Sequence, residues 1–227
     1  MELGGSDPFV VLDDADLDIT VPAAVASRFG NAGQTCIAAK RFIVTPGIAD
    51  AFVARFVEAA SKLSVGDPMD DATTLAPMAR ADLRDEVHDQ VQRSIAAGAT
   101  LLLGGTLGQG GSHYPATILD HVVPGMPAYR EELFGPAASI LRAGDDDDAV
   151  RIANDTDFGL GASVWTRDKA RGEAVARRLQ AGATFVNAIV RSDVRLPFGG
   201  TKTSGFGREL AEHGIHEFMN IKTVYVA

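Results

Sequence analysis

The sequence contains one cysteine, Cys36, among 227 residues. A single cysteine excludes an intramolecular disulfide framework and a cysteine-based zinc site, and it suits a reducing compartment. Positive charge is also scarce. The sequence has 21 Lys and Arg residues and 30 Asp and Glu residues, which gives a formal net charge of −9. Without a basic stripe, binding to a nucleic-acid backbone is disfavoured. No apolar run approaches the roughly 20 residues that span a bilayer, and no secretory leader is recognisable. We therefore expect a cytoplasmic protein with no nucleic-acid, membrane or metal partner.

Short apolar strands alternate with amphipathic helices along the whole chain. With 46% hydrophobic and 22% charged residues, the composition is that of an ordinary globular protein. The alternation with long crossovers predicts a mainly parallel, open α/β sheet with helices on both faces. The predicted strands are residues 9–12, 41–44, 100–103, 115–119, 138–141, 162–165, 184–187 and 221–226. The predicted helices are residues 19–31, 48–63, 80–97, 145–153 and 168–180, and the glycine-rich residues 104–111 are predicted to be a hairpin turn.

Cys36 admits two interpretations from its own surroundings. A lone cysteine is most often a small buried hydrophobe. The small residues around it also suit a reachable nucleophile, which needs a base and a stabiliser of negative charge. The sequence positions of the five histidines do not predict a Cys–His pair. Glu2 is a different candidate base, because the glycines that follow it let the backbone lie close to a ligand.

Four motifs, in order, resemble those of the aldehyde dehydrogenase superfamily. They are Glu-Leu-Gly-Gly at positions 2–5, Gly-Gln-Thr-Cys at 33–36, Glu-Glu-Leu-Phe-Gly-Pro at 131–136 and the glycine-rich run at 197–209. The resemblance implies that Cys36 attacks the carbonyl of an aldehyde substrate and that hydride passes to NAD or NADP. Glu2 would then activate the water that hydrolyses the thioester.

The resemblance also assigns the cofactor contacts and the domains. Glu132 would bind the hydroxyls of the nicotinamide ribose, Phe134 would pack beside the nicotinamide, and the Leu3 carbonyl would contact the carboxamide. Residues 1–219 would be the catalytic domain, and residues 220–227 an oligomerisation strand, so we expect a homo-oligomer. Arg208 and Glu209 are interpreted as a structural ion pair.

The sequence departs from the family in length and at one substrate position. Family members are about twice as long, and their nucleotide-binding motifs have no counterpart in these residues. We therefore expect the isolated chain to be catalytically incomplete. Its segments are most similar to bacterial succinate-semialdehyde dehydrogenases, but Gly30 stands where one family pattern has an arginine that binds the substrate carboxylate. Arg191 or Arg195 is the alternative cation. Other aliphatic or aromatic aldehydes, and a non-enzymatic truncated fragment, remain open as alternatives.

Overall fold

A sheet of seven strands organises the computed structural model, which describes residues 1–107 and 110–227. The strands are β1 Asp7–Val11, β2 Ala39–Val44, β3 Thr100–Leu103, β4 Thr117–Asp120, β5 Ala137–Arg142, β6 Gly161–Trp165 and β7 Ala183–Val186. The helices are α1 Leu17–Phe29, α2 Ala49–Ser61, α3 Ala81–Ala96, α4 Pro127–Arg130, α5 Asp146–Asn154, α6 Lys169–Ala176 and α7 Ala211–His216. Short 3₁₀ turns lie at Gly30–Gly33 and Lys202–Ser204.

The strand order is β3-β4-β5-β2-β1-β6-β7, and every neighbouring pair is parallel except β3 with β4. This confirms the predicted, mainly parallel α/β sheet. Every residue of β1, β2 and β6 is buried, as expected for central strands that are covered on both faces. Because the central strands are parallel, the segments that precede them all meet at one edge of the sheet.

Two adjacent residues of β2 show that helices cover both faces. Phe42 packs against Phe52 and Phe56 of α2, with ring centroids 6.3 and 4.8 Å apart. The adjacent residue, Arg41, points to the opposite face of the sheet. Its guanidinium donates there to the carbonyls of Ile152 and Ala153 at the end of α5, both at 2.9 Å. The buried guanidinium thus caps the last carbonyls of α5, of which that of Ile152 also accepts from the Asp155 N–H at 3.2 Å.

Most predicted elements are present, with small shifts at their ends. The strand predicted at 115–119 begins at Thr117, since Pro115 has no N–H to donate to the ladder. The β3–β4 hairpin is present, but part of the turn predicted at 104–111 lies outside the described residues. No described helix is long and apolar enough to cross a membrane.

The C-terminal tail, residues 220–227, is predicted from its sequence pattern to form a strand. Within the described residues it pairs with no other strand, and its side chains, including Ile221 and Tyr225, are exposed. A strand is defined by backbone pairing, and the alternating pattern of the tail cannot supply the partner by itself. The role of this segment in oligomerisation stays a prediction.

Candidate active site

The predicted site residues gather at the amino-terminal edge of the sheet. The segment at positions 2–5 leads into β1, the segment at 33–36 leads into β2, and the segment at 131–136 leads into β5. These three strands are neighbours in the sheet and are parallel. Strand topology alone therefore brings together motifs that are more than 90 residues apart in sequence.

The first segment lies directly against Glu132. The backbone N–H of Gly5 donates to Glu132 Oε1 at 3.0 Å. Gly4 has a φ of +103°, and a Cβ at this position would lie 2.6 Å from Glu132 Oε2. Only glycine adopts this backbone readily and leaves room for the carboxylate. The two glycines thus let the chain pass across the face of the Glu132 side chain.

Glu2 and Leu3 are held by the glycine-rich run near the end of the chain. The Leu3 N–H donates to the Ser204 carbonyl at 2.9 Å, and Glu2 forms an antiparallel bridge with Gly205. Both side chains are exposed on this edge. Partial burial raises the pKa of Glu2, and the charge of Glu209 and a hydrogen bond with it raise that pKa further. A carboxyl with a raised pKa suits a general base.

The interpretation of Arg208 and Glu209 as an ion pair is wrong. The Arg208 guanidinium donates to the carbonyls of Gly200 and Gly207, at 2.9 and 2.7 Å. Glu209 instead interacts with Glu2. Adjacent opposite charges on a loop suggest a local pair, whereas the fold turns each side chain toward a different neighbour.

Cys36 is half-buried in the turn that precedes β2. It packs against a small apolar cluster that contains Leu160, Val190 and Phe198. Burial raises the pKa of the Cys36 thiol, and the carboxylates of Glu2 and Asp7 raise it further. The N–H of Ile37 and the ammonium of Lys40 act in the opposite direction. Cys36 is therefore a reachable thiol with an apolar surface beside it and a cation close by.

Glu132 and Phe134 line a cleft of about 350 Å³ at the same edge, together with Leu83, Val87 and Gln90. Phe134 is 38% exposed, which is high for a phenylalanine. In the described part of the chain, both polar contacts of the Glu132 carboxylate fall on Oε1, from Gly5 and from Lys40. Oε2 has no hydrogen-bond partner among the described residues.

Lys40 is the site residue that sequence reasoning missed. Its side chain is 1% exposed, and its ammonium lies 3.2 Å from Glu132 Oε1. The only sequence signal is its position four residues after Cys36, within a strand whose other residues are mostly apolar. In the described residues, no group of three or more potential metal ligands is placed to hold an ion.

Residues 1–224 match the sequence pattern that describes the aldehyde dehydrogenase family. The chain belongs to the aldehyde dehydrogenase family. It is 55% identical to a succinate semialdehyde dehydrogenase [NAD(P)+] of Escherichia coli, over 99% of this chain and 49% of that protein. It is 52% identical to a succinate-semialdehyde dehydrogenase [NADP(+)] of Mycobacterium ulcerans, over 100% of this chain and 50% of that protein.

The fold agrees with solved structures of the family. The structure of an NAD-dependent aldehyde dehydrogenase from Sinorhizobium meliloti superposes with a TM-score of 0.95 at 39% identity. That match covers 99% of this chain and 45% of the other. The chain thus spans about half the length of the aldehyde dehydrogenases that it matches.

The three positions considered for substrate binding differ in their surroundings. Arg195 is held by Asp193 through two hydrogen bonds of 2.9 and 2.6 Å. Arg191 is exposed on the same loop, and its charge helps to lower the pKa of Asp193. Gly30 faces open space, with nothing within 4 Å of the position a Cβ would occupy. Arg191 is therefore the better placed of the two arginines to accept a new anionic partner.

Gly33 is expected to be the least replaceable residue of the Cys36 loop, the segment at positions 30–36 between α1 and β2. Its φ is +71°, and a Cβ there would lie 2.2 Å from the Gly135 carbonyl oxygen. Gly33→Ala should lower the free energy of unfolding by about 2–4 kcal/mol, because backbone strain and a backbone clash add. Urea denaturation measures this loss. Gly30→Ala is the matched control, since it lies in open space and should change stability by less than about 1 kcal/mol. Equal effects of the two variants would contradict the loop geometry.

Proposed function

We propose that the protein containing this chain oxidises an aldehyde to a carboxylic acid with NAD or NADP, through a covalent bond to Cys36. The observation that carries the proposal is the position of the single cysteine. Cys36 packs against an apolar cluster, which suits the carbon chain of a substrate, and the charges of Glu2 and Lys40 act on its thiol. Family membership and the names of the relatives support the same reaction.

The residues at the sheet edge fit the nicotinamide ribose of the cofactor. Glu132 Oε2 is available to accept from ribose hydroxyls, and the exposed Phe134 ring offers an apolar face to the nicotinamide. The backbone around Leu3 approaches the same cleft because Gly4 and Gly5 run across Glu132. When bound, NAD or NADP supplies the acceptor for the hydride that leaves the substrate carbon.

Cys36 acts first in the proposed reaction. The Sγ thiolate attacks the aldehyde carbon, forming an S–C bond and moving the carbonyl electrons onto oxygen. The Cys36 N–H is a donor for the oxyanion that develops there. After hydride has left that carbon, the carbonyl reforms and the substrate is held as a thioester on Cys36.

Glu2 acts in the second half of the reaction. Its ionised carboxylate takes a proton from water, whose oxygen attacks the thioester carbon, and the C–S bond breaks to release the acid and Cys36. The raised pKa of Glu2 makes it a stronger base than an ordinary surface glutamate.

Succinate semialdehyde is the proposed substrate. The relatives at 55% and 52% identity carry that substrate in their names. Arg191 is the proposed partner of the substrate carboxylate, since Arg195 is already paired. An uncharged aldehyde is the second candidate, because the surface beside Cys36 is apolar and Gly30 offers no cation.

An assay with two aldehydes of similar length tests the substrate. NAD(P)H formation is measured with succinate semialdehyde and with butanal, on this chain mixed with a separately expressed nucleotide-binding half of a family member. We expect kcat/KM for succinate semialdehyde to be at least about tenfold higher, the value of one charge-assisted contact. Arg191→Gln should remove that preference and leave butanal oxidation unchanged. Equal kcat/KM values in the parent would favour the uncharged substrate class instead.

A further inference from the structure

Lys40 connects three parts of the candidate site through one ammonium group. Lys40 Nζ donates to the Thr35 carbonyl at 3.1 Å and to the Cys36 carbonyl at 2.7 Å. It also lies 3.2 Å from Glu132 Oε1 and 6.0 Å from the centroid of the Phe134 ring. An ammonium has three protons, and these three acceptors account for all of them.

The burial of the Lys40 ammonium indicates that it holds its neighbours in place as well as balancing the charge of Glu132. A lysine that is 1% exposed is costly to fold unless its ammonium is paired and fully hydrogen-bonded. Glu132 Oε1 also accepts from the Gly5 N–H, so the carboxylate is held from two sides. Rotation of that carboxylate would break the contact with Lys40 as well as the contact with Gly5.

The neighbouring Arg28 does not share this role. It is also fully buried, but its Nη2 donates to the Gly33 carbonyl at 2.6 Å. Its Nε and Nη1 atoms have no hydrogen-bond partner within the described residues. Arg28 therefore supports the loop before Cys36, whereas the Lys40 ammonium contacts both the Cys36 carbonyl and Glu132.

We propose that Lys40 is a positioning residue, which fixes the Cys36 loop against Glu132 and stabilises the Cys36 thiolate. This inference rests on the proposed role of Cys36. The charged groups that face Cys36 are Lys40, Glu2 and Asp7. The groups that face Lys40 are Arg28, Asp7 and Glu132, and burial lowers the pKa of Lys40 to about 8. The ammonium is therefore mostly charged at neutral pH, and the thiolate benefits from it there.

Alkylation of Cys36 by iodoacetamide tests the proposal without requiring turnover. Because the chain has one cysteine, the rate reports on Cys36 alone. Measured from about pH 6 to about pH 10, the rate follows the thiolate fraction. Lys40→Gln should slow alkylation about three- to tenfold at neutral pH, where the ammonium of the parent is charged, and this difference should shrink as the pH rises past the Lys40 pKa of about 8. Unfolding would expose Cys36 and accelerate alkylation, so slower labelling cannot arise from loss of structure.

Two further variants complete the experiment. Lys202→Gln is the control, because Lys202 also donates to two backbone carbonyls, those of Asn154 and Thr156, but does not contact the Cys36 loop. Its profile should match that of the parent. Glu132→Gln removes a carboxylate that raises the pKa of Lys40, so less of the ammonium is charged at neutral pH and alkylation there should be slower than in the parent.

The outcomes separate the proposal from its alternatives. An unchanged profile in folded Lys40→Gln, or alkylation of Glu132→Gln that is as fast as that of the parent at neutral pH or faster, would overturn the role of Lys40. If circular dichroism shows that Lys40→Gln is unfolded, Glu132→Gln decides alone. Alkylation needs no aldehyde and no cofactor. If the alkylation rates change as expected but the protein oxidises no aldehyde, only the proposed function is refuted.

Discussion

Replacing Cys36 with serine is expected to lower the rate of NAD(P)H formation by at least about 10³-fold, as removal of a covalent nucleophile does elsewhere. A serine hydroxyl stays protonated at neutral pH, and His88, His113 and His121 are engaged elsewhere, with Tyr114, Gly66 and Asp120. The assay uses the chain mixed with a nucleotide-binding half, with succinate semialdehyde as substrate.

The same experiment contains its own control for folding. Serine is close to cysteine in size and Cys36 is only half-buried, so the urea midpoint of Cys36→Ser should match that of the parent. Equal rates for parent and variant, with equal stability, would show that the hydride comes from a reaction in which Cys36 takes no part.

Replacing Glu2 with glutamine is expected to separate the two halves of the reaction. Cys36 still forms the thioester, so a rapid burst of about one NAD(P)H per site should remain. Steady-state turnover should fall by about 10²–10⁴-fold, because water then attacks without a base. Rapid-mixing absorbance at the NAD(P)H band measures both phases.

The pH dependence of the slow phase has a defined sign. Only the ionised Glu2 carboxylate accepts a proton, so hydrolysis should rise with pH through the pKa of Glu2, which lies above the ordinary value for glutamate. In Glu2→Gln that rise should disappear. Glu212→Gln, an exposed glutamate on α7, is the matched control and should leave both phases unchanged. Loss of the burst together with turnover in Glu2→Gln would contradict the assignment.

Sequence alone predicts the framework because the relevant signals are local. Phe52 and Phe56 recur at helical spacing in α2, and the apolar run of β2 is a short buried strand. Three of the four motifs, at positions 2–5, 33–36 and 131–136, each lie shortly before a strand, which places them at the same edge of the sheet.

The remaining features depend on contacts between distant segments. Lys40 meets Glu132 across 92 residues of sequence, and Glu2 meets Glu209 across 207, so no local pattern reveals either contact. In the C-terminal tail the local pattern is present, but the contact with a distant segment is missing in the described part of the chain. Its alternating pattern is correct for a strand, but a strand forms only where a partner backbone is present.

The most direct test of the proposed covalent mechanism is to identify the residue that carries the acyl group. Glu2→Gln protein is mixed with the nucleotide-binding half, succinate semialdehyde and NAD(P)+, quenched in acid after the burst, digested and analysed by mass spectrometry. We expect a succinyl adduct on the peptide that contains Cys36, in an amount equal to the NAD(P)H released in the burst. NAD(P)H release with Cys36 unmodified, or with the adduct on another residue, would contradict it.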